Sequence, residues 1–241
     1  MPTYDHTSVA AFSGLTSGQI SAAAALTMML RHASTGQLIS DALDALQVGD
    51  ARLNRANWDF QDRGNPGYAL KISDFTDECA LQYSTHNVLT FKFCYIDPDA
   101  VWTEYRDAML AAEAAHPSNR FIWWSMPLTT YYELDVRAAY NAACRSYCTT
   151  NNKTLYDIAA IESHHANGTA NTYGGYEALC EEYTSDGGHP DSNGGDTRLA
   201  QVMWVMLAAM AGPPPSVSFH KRSSAQTVSG TAYGVRRYNI G

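Results

Sequence analysis

The feature that most constrains this 241-residue chain is a repeated change of hydrophobic period. Short apolar runs at 26–30, 88–96, 120–125 and 154–159 alternate with longer stretches of helical spacing at 34–46, 69–83, 99–115, 136–148 and 197–211. In the first helical stretch Leu38, Ala42 and Leu46 share one stripe, with Ile39 and Leu43 beside it. Strands alternating with helices of similar length predict a mostly parallel sheet covered by helices on both faces. The expected class is α/β: three layers, α/β/α, around a flavodoxin-like doubly wound, mostly parallel sheet. One domain is expected over 1–212, its first 19 residues a polar arm. After Pro213-Pro214-Pro215, residues 213–241 read as a C-terminal extension. Residues 48–67 read as loop.

Composition excludes some functions. A net charge of −8 argues against nucleic acid and anionic membranes as partners. The apolar stretch at 20–30 is too short to cross a bilayer and lacks the flanks of a secretion signal. The five cysteines (Cys79, Cys94, Cys144, Cys148 and Cys180) form no Cys-x-x-Cys pair and are expected as buried thiols, with room for one disulfide. With the eight histidines they show no finger or ribbon spacing, so a zinc site is not expected.

In such a sheet, ligands bind beyond the carboxyl ends of the strands. Ser34 follows the first apolar run, and Asp97 the second. Ser34 opens a helix, where free backbone N–H groups and the helix dipole suit an oxyanion. As a plain N-cap, Ser34 also fits a capping box with Gln37. The segment Ser185-Asp186-Gly187-Gly188-His189-Pro190 sits just before the last helix. Its Asp-x-x-His spacing lets one loop present an imidazole with its carboxylate partner. Asp-Gly-Gly is also ordinary turn chemistry.

Together with Asp191-Ser192-Asn193-Gly194, this segment resembles the last sequence block of the SGNH (GDSL-like) hydrolase superfamily. Arg31-His32-Ala33-Ser34-Thr35-Gly36 stands in place of the first block. It is similar to a divergent branch with His-x-Ser-x-Gly instead of Gly-Asp-Ser. The resemblance implies Ser34 as nucleophile, His189 as base and Asp186 as its partner. It also implies oxyanion donors at the Ser34 amide and at a glycine, with Gly67 the better match and Gly64 behind it. The family's third block, which carries an Asn donor, is missing from Phe91-Lys92-Phe93-Cys94-Tyr95-Ile96-Asp97. Asn65 is the candidate substitute.

His32, Lys92 and Asp97 are expected at the substrate-binding edge, with buried structural roles as their alternatives. Trp123-Trp124 and the tyrosines read chiefly as core and loop packing, with Tyr131-Tyr132 after the third apolar run the candidate aromatic platform for a sugar ring, and His164-His165 reads as pocket rim or surface. The implied function is a serine esterase acting on a small acyl ester, acetyl on a carbohydrate being the family's pattern. It would work without cofactor, and the family's habits favour export. The alternatives are an O-acyltransferase using the same nucleophile, or an inactive carbohydrate-binding or assembly module.

Overall fold

The computed structural model describes residues 2–212, so the expected extension at 213–241 lies outside the described residues. In chain order the elements are β1 (Thr3–Tyr4), α1 (Ser17–Ala24), β2 (Met28–His32), α2 (Thr35–Gly49), β3 (Trp58–Asp62), α3 (Tyr68–Gln82), β4 (Val88–Phe91) and α4 (Trp102–Ala115). There follow β5 (Arg120–Phe121), β6 (Trp123–Trp124), α5 (Leu134–Thr150), β7 (Leu155–Tyr156), α6 (Ile158–Glu162), β8 (Thr172–Tyr173), β9 (Tyr176–Glu177) and α7 (Gly195–Ala211).

The strands pair in the order β3-β2-β4-β5 and β6-β7-β1, all parallel. The run at 120–124 changes partner at Ile122: its first half pairs with β4, its second with β7. The chain therefore steps outward from β2 to β3, then crosses back to β4 on the other side of β2. That reversal opens a crevice beyond the carboxyl ends of β2 and β4.

Both central strands are buried at every position, which is why they read as unbroken apolar runs. Met28 and Leu30 face one core with Val88, Ile122 and Trp124. Met29 faces the other with Leu89, Phe121 and Trp123. Ile39 and Leu43 of α2, with Leu199, Val202, Met203 and Met206 of α7, cover the first face. Phe75 of α3, Tyr105 and Met109 of α4 and Cys144 of α5 cover the second. Burying each such large side chain contributes roughly 1.5–3 kcal/mol. Among the described residues, no helix is long and apolar enough to cross a membrane. All five cysteines are free and buried.

Several elements depart from the sequence expectation, each for a local reason. Within the expected arm at 1–19 lie β1 on the sheet edge, a 3-10 helix over His6–Gly14 and the start of α1. Polar caps hold this segment: Asp5 accepts the Thr7 amide, and Thr16 and Gln19 form a capping box. The expected loop at 48–67 contains β3, where Trp58 is buried and the alternating Asp and Gln mask the period of two. The run from Val88 stops at Phe91, because the Asp97 carboxylate accepts the Cys94 amide (2.7 Å) and turns the chain. The run at 154–159 ends at Tyr156, where Asp157 caps α6 by accepting the Ala160 amide.

At the end of α6, Glu162 is almost fully buried, and one carboxylate oxygen accepts the Leu128 amide at 2.7 Å. Burial pushes its pKa up to about 8, against the pull of that amide and of the Lys92 and Arg137 charges. A raised carboxyl pKa favours folding below the unfolded value and loses that contribution as pH rises through about 8. Denaturant stability should therefore fall between roughly pH 5 and 8, and Glu162→Gln should flatten that slope. Parallel slopes in the two proteins would refute the assignment.

Candidate active site

The site begins where β2 ends. Ala33 leads directly into Ser34, whose backbone lies at φ 52° and ψ −103°, outside the regions that ordinary residues populate. Such a conformation costs on the order of 1–3 kcal/mol and persists only when surrounding contacts hold it. Two donors converge on the Ala33 carbonyl: the Gly36 amide at 3.0 Å and the Lys92 ammonium at 3.3 Å. Lys92 also donates to the Phe93 carbonyl at 2.9 Å, tying the end of β4 to the end of β2. Gly36 is required because a Cβ there would run into the His32 side chain. The expected capping box is not formed, since the Ser34 side chain makes no cap hydrogen bond. Its hydroxyl points elsewhere, and among the described residues the Ser34 backbone N–H donates to no acceptor.

The second part of the site is the loop at 184–190. It is braced internally, with Asp191 accepting from the Ser185 amide at 2.8 Å and the Ser185 hydroxyl at 2.6 Å. It is also braced from outside: the Thr130 amide donates to the Gly187 carbonyl at 3.0 Å. The Tyr95 ring packs against Gly188, where a Cβ would collide with it, and meets the His189 ring edge-to-face at 4.7 Å. Asp186 accepts the His189 amide at 2.8 Å and the Gly188 amide at 2.9 Å through one oxygen. Its other oxygen lies 2.5 Å from His189 Nδ1. Partial burial pushes the Asp186 carboxyl up, but those hydrogen bonds outweigh it and hold the group well below the usual carboxylate range. A carboxylate on Nδ1–H leaves Nε2 as the acceptor, and that nitrogen takes a hydrogen bond from the Ser34 hydroxyl. Ser34, His189 and Asp186 thus form one hydrogen-bonded chain, bridging 155 positions of sequence at its longest link.

The other residues expected at the site divide into surface and support. Gly67 and Asn65 lie in an exposed loop that leaves β3 beside the end of β2, where the Arg63 amide pairs with the His32 carbonyl at 2.9 Å. Gly64 shares this loop. Gly67 has φ 94° and opens α3. The expected substrate contacts at His32, Lys92 and Asp97 need correction: these residues are 3%, 1% and 2% exposed. His32 is wedged beneath the turn at Ser34, and among the described residues neither ring nitrogen has a hydrogen-bond partner. Burial and then the Lys92 charge lower its pKa to about 4, keeping it neutral. Lys92 spends its protons on carbonyls, as described above. Asp97 accepts from Lys71 and from the Cys94 amide.

Lys71 was not anticipated. It is buried on α3 and donates both to Asp97 and to Asn65 Oδ1 (2.9 Å), which turns the Asn65 NH2 group away from the ammonium. The available signal was a lysine on the same helical stripe as Phe75, Glu78 and Cys79. Tyr95 was likewise missed, because it read as part of a strand. A cavity of about 460 Å³ lined by Glu113, Arg120, Asn151 and Lys153 lies at the opposite, amino ends of the strands.

No protein-family model matches this sequence, and no curated protein matches it. Solved structures do. A GDSL-like lipase from Bacteroides thetaiotaomicron superposes with a TM-score of 0.55 at 12% identity, covering 86% of this chain and 96% of that one. A GDSL-like lipase from Parabacteroides merdae gives 0.49 at 14% identity, covering 77% and 96%. A lipolytic protein of the G-D-S-L family from Desulfitobacterium hafniense gives 0.48 at 10% identity, covering 75% and 99%. The first of these, with the strand order described above, identifies the architecture: this chain has the three-layer α/β/α fold of the GDSL-like lipases, the SGNH hydrolase fold.

Proposed function

We propose that this protein is a serine esterase that works through an acyl-enzyme. The observation carrying this reading is the hydrogen bond from Ser34 to His189 Nε2, made at a strained strand-to-helix turn with an unused backbone donor beside it. Ser34 Oγ attacks the ester carbonyl carbon while His189 Nε2 takes the hydroxyl proton. Asp186 holds the imidazole in the required tautomer and stabilises its cation. Negative charge on the carbonyl oxygen is met by the Ser34 amide and, from the loop after β3, by the Gly67 amide and the Asn65 carboxamide. Asn65 thereby stands in for the Asn that the chain lacks after β4. Collapse breaks the bond to the alcohol oxygen, which receives the proton from His189. Water then attacks the acyl-serine through the same steps in reverse order.

The acyl group is small, acetyl in the first instance, and the alcohol is a carbohydrate. Support for the carbohydrate comes from aromatic rings beside the Asp-His loop. Tyr131 and Tyr173 are 64% and 57% exposed, with ring centroids 6.3 Å apart. Tyr131 follows Thr130, whose amide holds Gly187. Tyr173 is presented by the β8–β9 hairpin, which turns through Gly174 and Gly175 at positive φ. Exposed tyrosines suit the apolar faces of a sugar ring.

Ser34→Ala and His189→Ala should each lower kcat/KM for p-nitrophenyl acetate by about 10⁴-fold with unchanged thermal stability. Undiminished turnover in Ser34→Ala would end the esterase reading. On an acetylated sugar, Tyr131→Ala should raise KM while leaving p-nitrophenyl acetate kinetics unaltered. An equal effect on both substrates would remove the platform. Lys71→Met, which leaves Asn65 in place but unanchored, should lower kcat roughly 10²-fold at constant KM. A change confined to KM would show that Asn65 does not meet the oxyanion.

A further inference from the structure

Outside the triad, the described residues bring one mixed set of metal-ligating side chains together. His165 comes from the turn after α6, Cys180 and Glu182 from the 3-10 turn before the Asp-His loop. One potential ligand atom from each lies within 4.8 Å of the others. His165 Nδ1 and Glu182 Oε1 already approach to 2.6 Å. The Cys180 thiol is buried beneath them. Spacing in the sequence gave no hint of this set, because the β8–β9 hairpin separates its members.

We propose that His165, Cys180 and Glu182 bind a zinc-class divalent cation that braces the root of the Asp186–His189 loop. Imidazole nitrogen, thiolate and carboxylate are the three donor types that zinc takes, at about 2.0–2.3 Å each. Tetrahedral donors at those lengths lie roughly 3.3–3.6 Å apart, so the His165–Glu182 pair, now at 2.6 Å, opens slightly to admit the ion while both close on the buried Cys180 sulfur by about an ångström. Charge also balances: a thiolate and a carboxylate neutralise the dication, and the imidazole binds neutral. Cys180 binds as the thiolate, its proton released to solvent. The partly exposed His165 and Glu182 leave the fourth coordination position to water.

The site's position gives the ion a purpose. The Glu182 carbonyl accepts the Asn193 side chain at 2.6 Å, and the Tyr183 carbonyl accepts the Ser192 amide at 2.9 Å. The turn at 180–183 is thus the anchor from which the Asp-His loop leaves and to which it returns. Closing His165 onto Cys180 and Glu182 ties that anchor to the end of α6.

The test uses the full chain, stripped with a chelator and titrated with Co²⁺. One equivalent should produce a thiolate-to-cobalt charge-transfer band that Zn²⁺ abolishes. Cys180→Ser should lose the band, and the exposed-site variants His165→Ala and Glu182→Gln should each weaken Zn²⁺ binding by more than about tenfold. Zn²⁺ should raise the melting temperature of the parent protein and not of His165→Ala. No band, or a band that persists in Cys180→Ser, would overturn the proposal. None of these readouts depends on turnover, so they stand apart from the esterase reading.

Discussion

The backbone of Ser34 sits where an ordinary residue avoids sitting, and the crevice around it is built to keep it there. The Lys92 ammonium, carried in from β4, and the Gly36 amide both fasten the Ala33 carbonyl. His32 fills the space above Gly36 that a side chain would otherwise take. A buried lysine is costly unless every proton finds an acceptor. Here its two acceptors are carbonyls just beyond the ends of two adjacent parallel strands. The cost of desolvating one charge is thereby converted into a fixed turn, and the turn aims both the Ser34 hydroxyl and its amide outward.

The sheet order makes the rest of the site a matter of topology. Reversal between β2 and β4 leaves their carboxyl ends adjacent, with the loop after β3 alongside. Two segments far apart in sequence, at Ser34 and Asp186–His189, then meet at one rim, and the loop after β3 leaves beside the end of β2. Thr130 and Tyr95 set the height of the last segment by gripping Gly187 and Gly188. The chain departs from the SGNH pattern after β4. There Asp97 does not face the crevice. It anchors Lys71, which in turn orients Asn65. Where the resemblance implied an Asn after β4, the structure has the Lys71–Asp97 ion pair.

Much of this was legible in the residues. The alternation of periods gave the layered parallel sheet, and the turn from an apolar run into a helix placed Ser34 at its edge. Asp-x-x-His-Pro placed the imidazole and its carboxylate, because both lie in one loop where spacing is geometry. What stayed hidden depends on tertiary burial. Lys92, Asp97 and His32 sit at the catalytic edge in sequence, yet they lie beneath it, since polar residues there can satisfy carbonyls as readily as ligands. β3 was obscured by Asp59 and Gln61 on its half-exposed positions. The N-terminal segment gains its order from caps and from packing on α7, which a local reading of Gly, Ser and Thr does not reveal. Lys71 and the His165–Cys180–Glu182 set arise from contacts between elements and leave no spacing to find.

The central claim is that Ser34 is a nucleophile activated by His189. A fluorophosphonate probe, followed by peptide mass spectrometry, examines it without choosing a substrate. The account predicts a single adduct on Ser34 at neutral pH, formed far more slowly in His189→Ala. Labelling of a different serine, or a protein that stays unmodified across the neutral range, would contradict it.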